Sequence, residues 1–360
     1  MKKSTPPVLW VGSTETCPDI RHITGFGAPD SLIVLKDGKR IDALVSKLEY
    51  GRALKQMKRE VSVWTAERVG AKTGDGLLDL LKRRKCSRVT VPGDFPVSVA
   101  ERLRKAKIRV MVSTESVNPG RMIKDKKEIA QIEVSQKAAK AGVRVAESVL
   151  RHSGVDARGR LVFRGSVLTS ERLREMIRAE ALKRGCLDEG TIVAGGRQGA
   201  NPHERGSGAL RTHEWIVVDV FPRHLEAGYF GDITRTLMKG RPTAKQRAMY
   251  RAVAKAQKVA LGMIRPGATC KDVHAAVVTV FEAAGFKTEM RKGVHVGFFH
   301  GTGHGVGLEI HEAPSLSPKS TTTLKEGMVV TVEPGLYYPD LGGVRIEDTV
   351  MVTRTGCRTL

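Results

Sequence analysis

Short apolar runs alternate with amphipathic stretches through the first third of the chain. Residues 32–35, 43–45, 61–64, 89–91 and 110–112 have the length and β-branched content of buried strands, while 49–59, 76–84 and 97–107 carry apolar residues at helical spacing. That alternation predicts a small α/β unit with a mixed sheet. Ser116-Val117-Asn118-Pro119-Gly120 breaks the pattern, and Pro followed by Gly marks a connection. The boundary is therefore placed here, giving a first domain over 1–118 and a second over 119–360.

Beyond the boundary, Ile129, Ile132, Ala139, Val143 and Ala146 predict one long helix over about 124–150. Thr243 with Gln246, and Thr269 with Asp272, have the form of helix N-terminal caps. Residues 215–221, 230–237, 328–337 and 344–352 read as strands. No repeat of solenoid period and no low-complexity tract is present.

Composition narrows the class without naming a function. With 41% apolar and 28% charged residues the chain reads as an ordinary globular protein, and no apolar run approaches the length of a membrane span. Lys2 and Lys3 precede an apolar run at 8–11 that is too short for a signal-peptide core. The formal charge of +23 raises nucleic acid as a partner, but the excess is spread over both parts of the chain. The densest run, Lys82-Arg83-Arg84-Lys85, reads as a solvated helix end, so no nucleic-acid partner is expected. Cys17, Cys86, Cys186, Cys270 and Cys357 form no zinc or redox spacing, which fits reduced thiols in a cytoplasm.

The strands predicted in the second part carry acids where acids are costly. Asp219 sits in Ile216-Val217-Val218-Asp219-Val220, Asp232 in Gly231-Asp232-Ile233-Thr234, Glu333 in Val330-Thr331-Val332-Glu333 and Glu347 in Val344-Arg345-Ile346-Glu347. Aspartate is depleted in strands, and a buried carboxylate needs a partner or a cation. The four fall into two pairs, each flanking a turn-like segment, so each pair reads as a hairpin that brings two carboxylates together. Two divalent cations would balance four carboxylates, as in bimetallic hydrolytic sites with ions about 3.5–4 Å apart. A nitrogen ligand is offered by His304 in the glycine-rich stretch 299–307, read as a loop whose backbone approaches the site closely. Oxygen donors with one imidazole suit Mn²⁺, Co²⁺ or Zn²⁺. One strand acid alone is usually an edge charge or half of an ion pair; it is the combination that points to metal. His203, His300 and His311 are weaker candidates singly, and His22, His152, His213, His224, His274 and His295 are read as structural. No P-loop, H-E-x-x-H or G-x-S-x-G signature is present.

Together these segments resemble the creatinase, prolidase, aminopeptidase P and methionine aminopeptidase group. The matching motifs are Val218-Asp219, Gly231-Asp232-Ile233-Thr234-Arg235-Thr236, His300-Gly301-Thr302-Gly303-His304-Gly305-Val306-Gly307 with His311-Glu312, Val332-Glu333-Pro334-Gly335, and Gly343-Val344-Arg345-Ile346-Glu347-Asp348. The resemblance implies an α+β chain: a pita-bread catalytic domain preceded by a smaller, creatinase-like α/β domain. It implies that Asp219, Asp232, His304, Glu333 and Glu347 bind two divalent metal ions, with Mn²⁺ first and Co²⁺ or Zn²⁺ as alternatives. Asp232 and Glu347 would bridge the pair. It implies too that His203, His300 and His311 line the substrate pocket, with Glu333 moving protons, and that Thr234 and Arg345 orient the carboxylates. Arg121, Lys124 and Glu128 match the motif that opens the catalytic domain in Xaa-Pro peptidases, and Thr24-Gly25-Phe26 matches their N-terminal domain.

The activity so implied is hydrolysis of the Xaa-Pro bond of dipeptides or short peptides by a hydroxide bridging two metal ions. The expected partners are short proline-containing peptides and a second copy of the chain in a homodimer, with no membrane. Thirteen positions separate Asp219 from Asp232, about two more than the family pattern, with 223–227 as the added length. Competing readings are a non-catalytic protein on the same scaffold that binds nucleic acid or protein, for which the +23 charge is the best support, a methionine aminopeptidase, or another small-substrate metal hydrolase.

Overall fold

A computed structural model describes residues 6–70 and 75–360; Lys2 and Lys3 lie outside them. The chain divides into two compact units, the first ending at Arg121 and the second spanning Met122–Leu360.

In the first unit the apolar runs assemble into a six-stranded sheet. Its order is Val61–Trp64, Arg40–Leu44, Leu32–Asp37, Val8–Gly12, Arg88–Val91 and Arg109–Val112. Leu32–Asp37 alone runs opposite to the other five, which therefore all start at one end of the sheet. Neighbouring residues point to opposite faces. Trp10 and Val34 accordingly join one apolar cluster, Leu9 and Leu35 another, and the sheet is buried on both sides. Strand Val8–Gly12 was not expected from its sequence, yet it lies between Leu32–Asp37 and Arg88–Val91. The helix expected over 49–59 is Lys47–Gln56, because the Ser46 side chain accepts the Glu49 N–H and caps it earlier.

The second unit opens with helix Lys126–His152, closed at its start by a reciprocal capping box of Asp125 and Glu128. This helix and Ser170–Leu182 share an apolar cluster with a three-stranded antiparallel sheet of Ile192–Gly195, Ile216–Val220 and Ile233–Leu237. Helices Ala244–Met263 and Cys270–Ala283 share another with strands of a five-stranded sheet and of the hairpin Gly335–Tyr338/Gly342–Arg345. The five-stranded sheet is ordered Glu312–Leu316, Gly303–Gly305, Val329–Val332, Asp348–Val352 and Cys357–Thr359. Both caps read from sequence form, Thr243 accepting from Gln246 and Thr269 from Asp272.

Four expectations need correction. The strands read over 328–337 and 344–352 are each broken in two, at Glu333-Pro334 and at Ile346-Glu347. Of the four acids only Asp219 lies inside a strand; Asp232 immediately precedes one. The segment between the aspartates is no plain turn, since Arg223–His224 pairs with Cys186–Leu187. Within the glycine-rich stretch, Gly303–Gly305 is a short strand held by a neighbour on each side.

Candidate metal centre

The breaks in the strands are what the glutamates occupy. Val332 pairs with Asp348 and Gly335 with Arg345, a single register that continues through Glu333 and Glu347 and sets them face to face. Pro334 has no N–H to donate, so the ladder lapses there. The backbone donors freed by the lapse find other acceptors: Glu333 N donates to Thr302 O at 2.8 Å and Glu347 N to Thr234 O at 3.0 Å. The glutamate pair is thereby tied to both the His304 strand and the three-stranded sheet.

The other ligands are held as directly. Asp232 exchanges backbone hydrogen bonds with the Gln136 side chain on the long helix, at 2.8 and 2.9 Å. Asp219 is fixed by pairing within its buried strand, opposite Thr234. His304 N donates to Thr331 Oγ1 at 3.0 Å, and glycine on either side lets its strand fit; a side chain at Gly303 or Gly305 would overlap the carbonyl of Thr331 or Ala313.

The five residues converge. Asp232, His304 and Glu347 each offer a donor atom within 4.8 Å of the others, and His304 Nε2 lies 3.2 Å from Glu333 Oε1 and 3.7 Å from Asp232 Oδ2. Thr234 Oγ1 donates to Glu347 Oε2 at 2.7 Å, and Arg345 Nη2 donates to Asp219 Oδ2 at 2.7 Å. Asp219 Oδ1 is buried without any hydrogen-bond partner. A carboxylate oxygen left bare in the interior is costly, and a cation is the partner that this set of oxygens and one imidazole accommodates.

The electrostatics agree. Burial, followed by the charges of Glu347, Asp219 and Glu333, pushes Asp232 well above the usual carboxylate range. Glu347 is pushed the same way by burial and by Glu333 and Asp219. For Glu333 burial is outweighed by the hydrogen bond and charge of His304, and it titrates low; His304 is correspondingly raised, Glu333 overcoming its burial. Clustered acids that favour protons when alone are a site that favours metal ions when metal is supplied.

All five line one cavity of about 490 Å³, and so do His203, His300, His311 and Arg345. Thr234 stands behind it, on Glu347. The six histidines read as structural do not line this cavity; His274, for example, is buried against Thr302 Oγ1 at 3.0 Å. Ile192, Phe221, Phe299 and Ile310 add apolar wall that sequence reading had not singled out.

Tyr337 was missed as well, and it organises the deep side of the site. Its hydroxyl accepts from Arg345 Nη1 and faces His300 Nε2, both at 2.9 Å. His300 Nδ1 lies 2.7 Å from Gly301 O. A carbonyl only accepts, so Nδ1 carries the proton and Nε2 accepts from the tyrosine. Burial lowers the His300 pKa to about 4, consistent with a neutral ring, and raises that of Tyr337 to about 12. The sequence did hold a signal: Gly335 precedes Tyr337 on the same strand face, and any side chain there would overlap the tyrosine hydroxyl.

Helix-backed sheets enclosing a cluster of four carboxylates and an imidazole define a metallohydrolase of the pita-bread class. The model of metallopeptidase family M24 matches residues 130–354. Among known proteins, the chain is 32% identical over 345 residues to an Xaa-Pro dipeptidase of Pyrococcus furiosus, covering 95% of this chain and 90% of that one. It is 30% identical over 346 residues to an Xaa-Pro dipeptidase of Pyrococcus horikoshii, with the same 95% and 90% coverage. Its fold matches the solved prolidase from Pyrococcus furiosus with a TM-score of 0.79 at 28% identity, over 98% of this chain and 95% of that one. An Xaa-Pro dipeptidase from Bacillus anthracis matches with a TM-score of 0.79 at 26% identity, over 98% and 92%. The chain belongs to metallopeptidase family M24, and it is a divalent-metal-dependent peptidase.

Proposed function

We propose that this chain hydrolyses the Xaa-Pro bond of dipeptides, using two divalent metal ions held by Asp219, Asp232, His304, Glu333 and Glu347. One observation carries the reading: four carboxylates and an imidazole converge at the wall of a cavity, with one buried carboxylate oxygen lacking any other partner. The relatives named Xaa-Pro dipeptidase, spanning nearly the whole chain, support the substrate. Ions held there would polarise the scissile carbonyl and activate water at neutral pH. Mn²⁺ suits the oxygen-rich donor set, with Co²⁺ or Zn²⁺ as alternatives.

The chain's own groups divide the remaining work. Glu333, held ionised beside His304, accepts and relays the proton of the attacking water. Of the two pocket histidines that could donate to the oxyanion, geometry favours one. Both nitrogens of His300 are engaged, by Gly301 and Tyr337, whereas His311 is exposed on the cavity wall with its ring 4.3 Å from that of His304. Geometry thus supports His311 as the donor. His203, exposed on the cavity wall, is suited to meet the substrate's carboxylate, and Phe221, Phe299 and Ile310 give apolar wall suited to a proline ring. Asp219 and Glu347 keep their orientation through Arg345 and Thr234.

A homodimer in the cytoplasm completes the reading. The five cysteines are all unpaired, and among the described residues no helix is long and apolar enough to cross a membrane. The deciding experiment compares Xaa-Pro dipeptides, Xaa-Pro-Xaa tripeptides and N-terminal Met peptides as substrates in Mn²⁺, Co²⁺ and Zn²⁺. Preference for the dipeptide in at least one metal is expected. Faster cleavage of the tripeptide, or of the Met peptide, would overturn it.

A further inference from the structure

The sheet topology of the first unit gathers charge that the sequence scatters. Five strands start at one end of the sheet, and two of those starts, Arg88 and Arg109, are adjacent register partners. Helix Gly76–Arg83 leads into the first of these strands and Val97–Lys105 into the second, so the C-terminal ends of both helices reach the same end. Residues 80–93 and 102–114 contain no Asp or Glu. The run at 82–85, read from sequence as a solvated helix end, thus lies beside a second run that the fold brings to it.

Lys82, Lys85, Arg104, Lys105, Lys107 and Arg109 are all exposed there, and among the described residues none of the six is held in an ion pair. Lys39, Arg40 and Arg59 extend the same end along strands Arg40–Leu44 and Val61–Trp64, against the acids Asp37 and Glu60. Cations grouped at the carbonyl ends of helices are locally favoured, but so many together, with few acids among them, form a strongly positive edge.

We propose that this edge of the first unit binds the phosphate backbone of duplex nucleic acid without regard to sequence. Six strands about 4.8 Å apart span about 24 Å, a length along which a duplex carries about fourteen phosphates. The charged residues are spaced across that span rather than drawn into one pocket, so they suit a repeating polyanion better than a single phosphate. The ring beside the run at 82–85, Trp64, is covered by the Arg83 and Arg84 guanidiniums, 4.7 and 5.6 Å from its centroid, whereas single-strand binding relies on bases stacking on open rings. Few apolar residues accompany the six exposed cations, which disfavours insertion into a lipid surface. The proposed metal ligands all belong to the second unit.

The test uses the full chain, metal-loaded, and a short fluorescein-labelled DNA duplex read by anisotropy across a salt series. Binding that weakens with salt is expected, and Lys82→Gln, Lys85→Gln, Lys105→Gln and Lys107→Gln combined should weaken it about tenfold or more. For every phosphate that the variant no longer neutralises, the slope of log affinity against log salt should flatten by about 0.9. The far-UV circular dichroism and thermal unfolding of the variant should match those of the unsubstituted protein, which certifies its folding, and its Xaa-Pro hydrolysis should be unchanged. Duplex binding that the four substitutions leave unchanged would overturn the proposal. So would failure to bind the duplex at low salt, or binding to phosphatidylglycerol vesicles in its place.

Discussion

Arg345 Nη2 lies 2.7 Å from Asp219 Oδ2, while the other oxygen of the same carboxylate is buried and bare. The guanidinium thus turns the aspartate so that one oxygen is satisfied by protein and the other faces the space where cations are expected. Arg345 also holds Tyr337 Oη at 2.9 Å and Thr234 Oγ1 at 3.2 Å, and Thr234 in turn holds Glu347. One planar cation therefore orients Asp219 directly and Glu347 through Thr234.

Replacing that fork with a single ammonium should uncouple them. Arg345→Lys keeps the charge but has one nitrogen where Arg345 meets Thr234, Tyr337 and Asp219 with three, Nε, Nη1 and Nη2, and a loss of about 10–100-fold in metal affinity or activity is expected. Metal content by mass spectrometry and kcat/KM on an Xaa-Pro dipeptide check it. Unchanged values in both would show that charge alone suffices.

The buried ion pair of Lys124 with Glu312 fixes the loop that carries His311. Breaking a buried pair by removing one of its members costs about 3–5 kcal/mol. Lys124→Met and Glu312→Gln should each be strongly destabilising in urea denaturation, and the double variant far less than their sum. Simple additivity would mean that the two residues act independently.

Gly303→Ala places a methyl against the Thr331 carbonyl, beside the strand that presents His304. The strand must shift, so metal content and activity should fall together, while the far-UV circular dichroism stays that of the parent. Normal metal binding in this variant would show that the His304 strand has slack that its neighbours do not suggest.

His300 supplies a pH test of stability. Its pKa falls from 6.5 to about 4 because burial disfavours the charged ring. Between those values the unfolded chain holds more protons than the folded one, so acid favours unfolding. The stabilisation is complete above pH 6.5 and is lost as pH drops toward about 4. At about 1.4 kcal/mol per pH unit the effect is on the order of 3 kcal/mol. Thermal unfolding of the parent and of His300→Asn across this range should diverge, with the variant less sensitive to acid. Parallel curves would mean that His300 does not contribute.

Periodicity exposed most helices and strands because their burial patterns are local. Strand Val8–Gly12 escaped because its five residues gain their place only from partners distant in sequence, Leu32–Asp37 and Thr90. The ligand candidates could be read because acids among β-branched residues conflict with propensity, yet the reason for that conflict differed from the expected one. Asp232, Glu333 and Glu347 avoid the strand interior by sitting where pairing starts or lapses, a detail of hydrogen bonding that residue types alone do not encode. Tyr337 escaped for a related cause: an aromatic residue in an apolar strand looks like core until Arg345 and His300 are seen on its hydroxyl.

The interrupted hairpin also sets where this chain tolerates changes of length. Because Glu333 and Glu347 face one another only through the shared register on either side of the gap, adding one residue to a single arm would slide one glutamate past the other and rotate its side chain away. The tip around Asp340 lies beyond the last paired residues, so loops of different length can be grafted there while the opposition of the two acids is preserved.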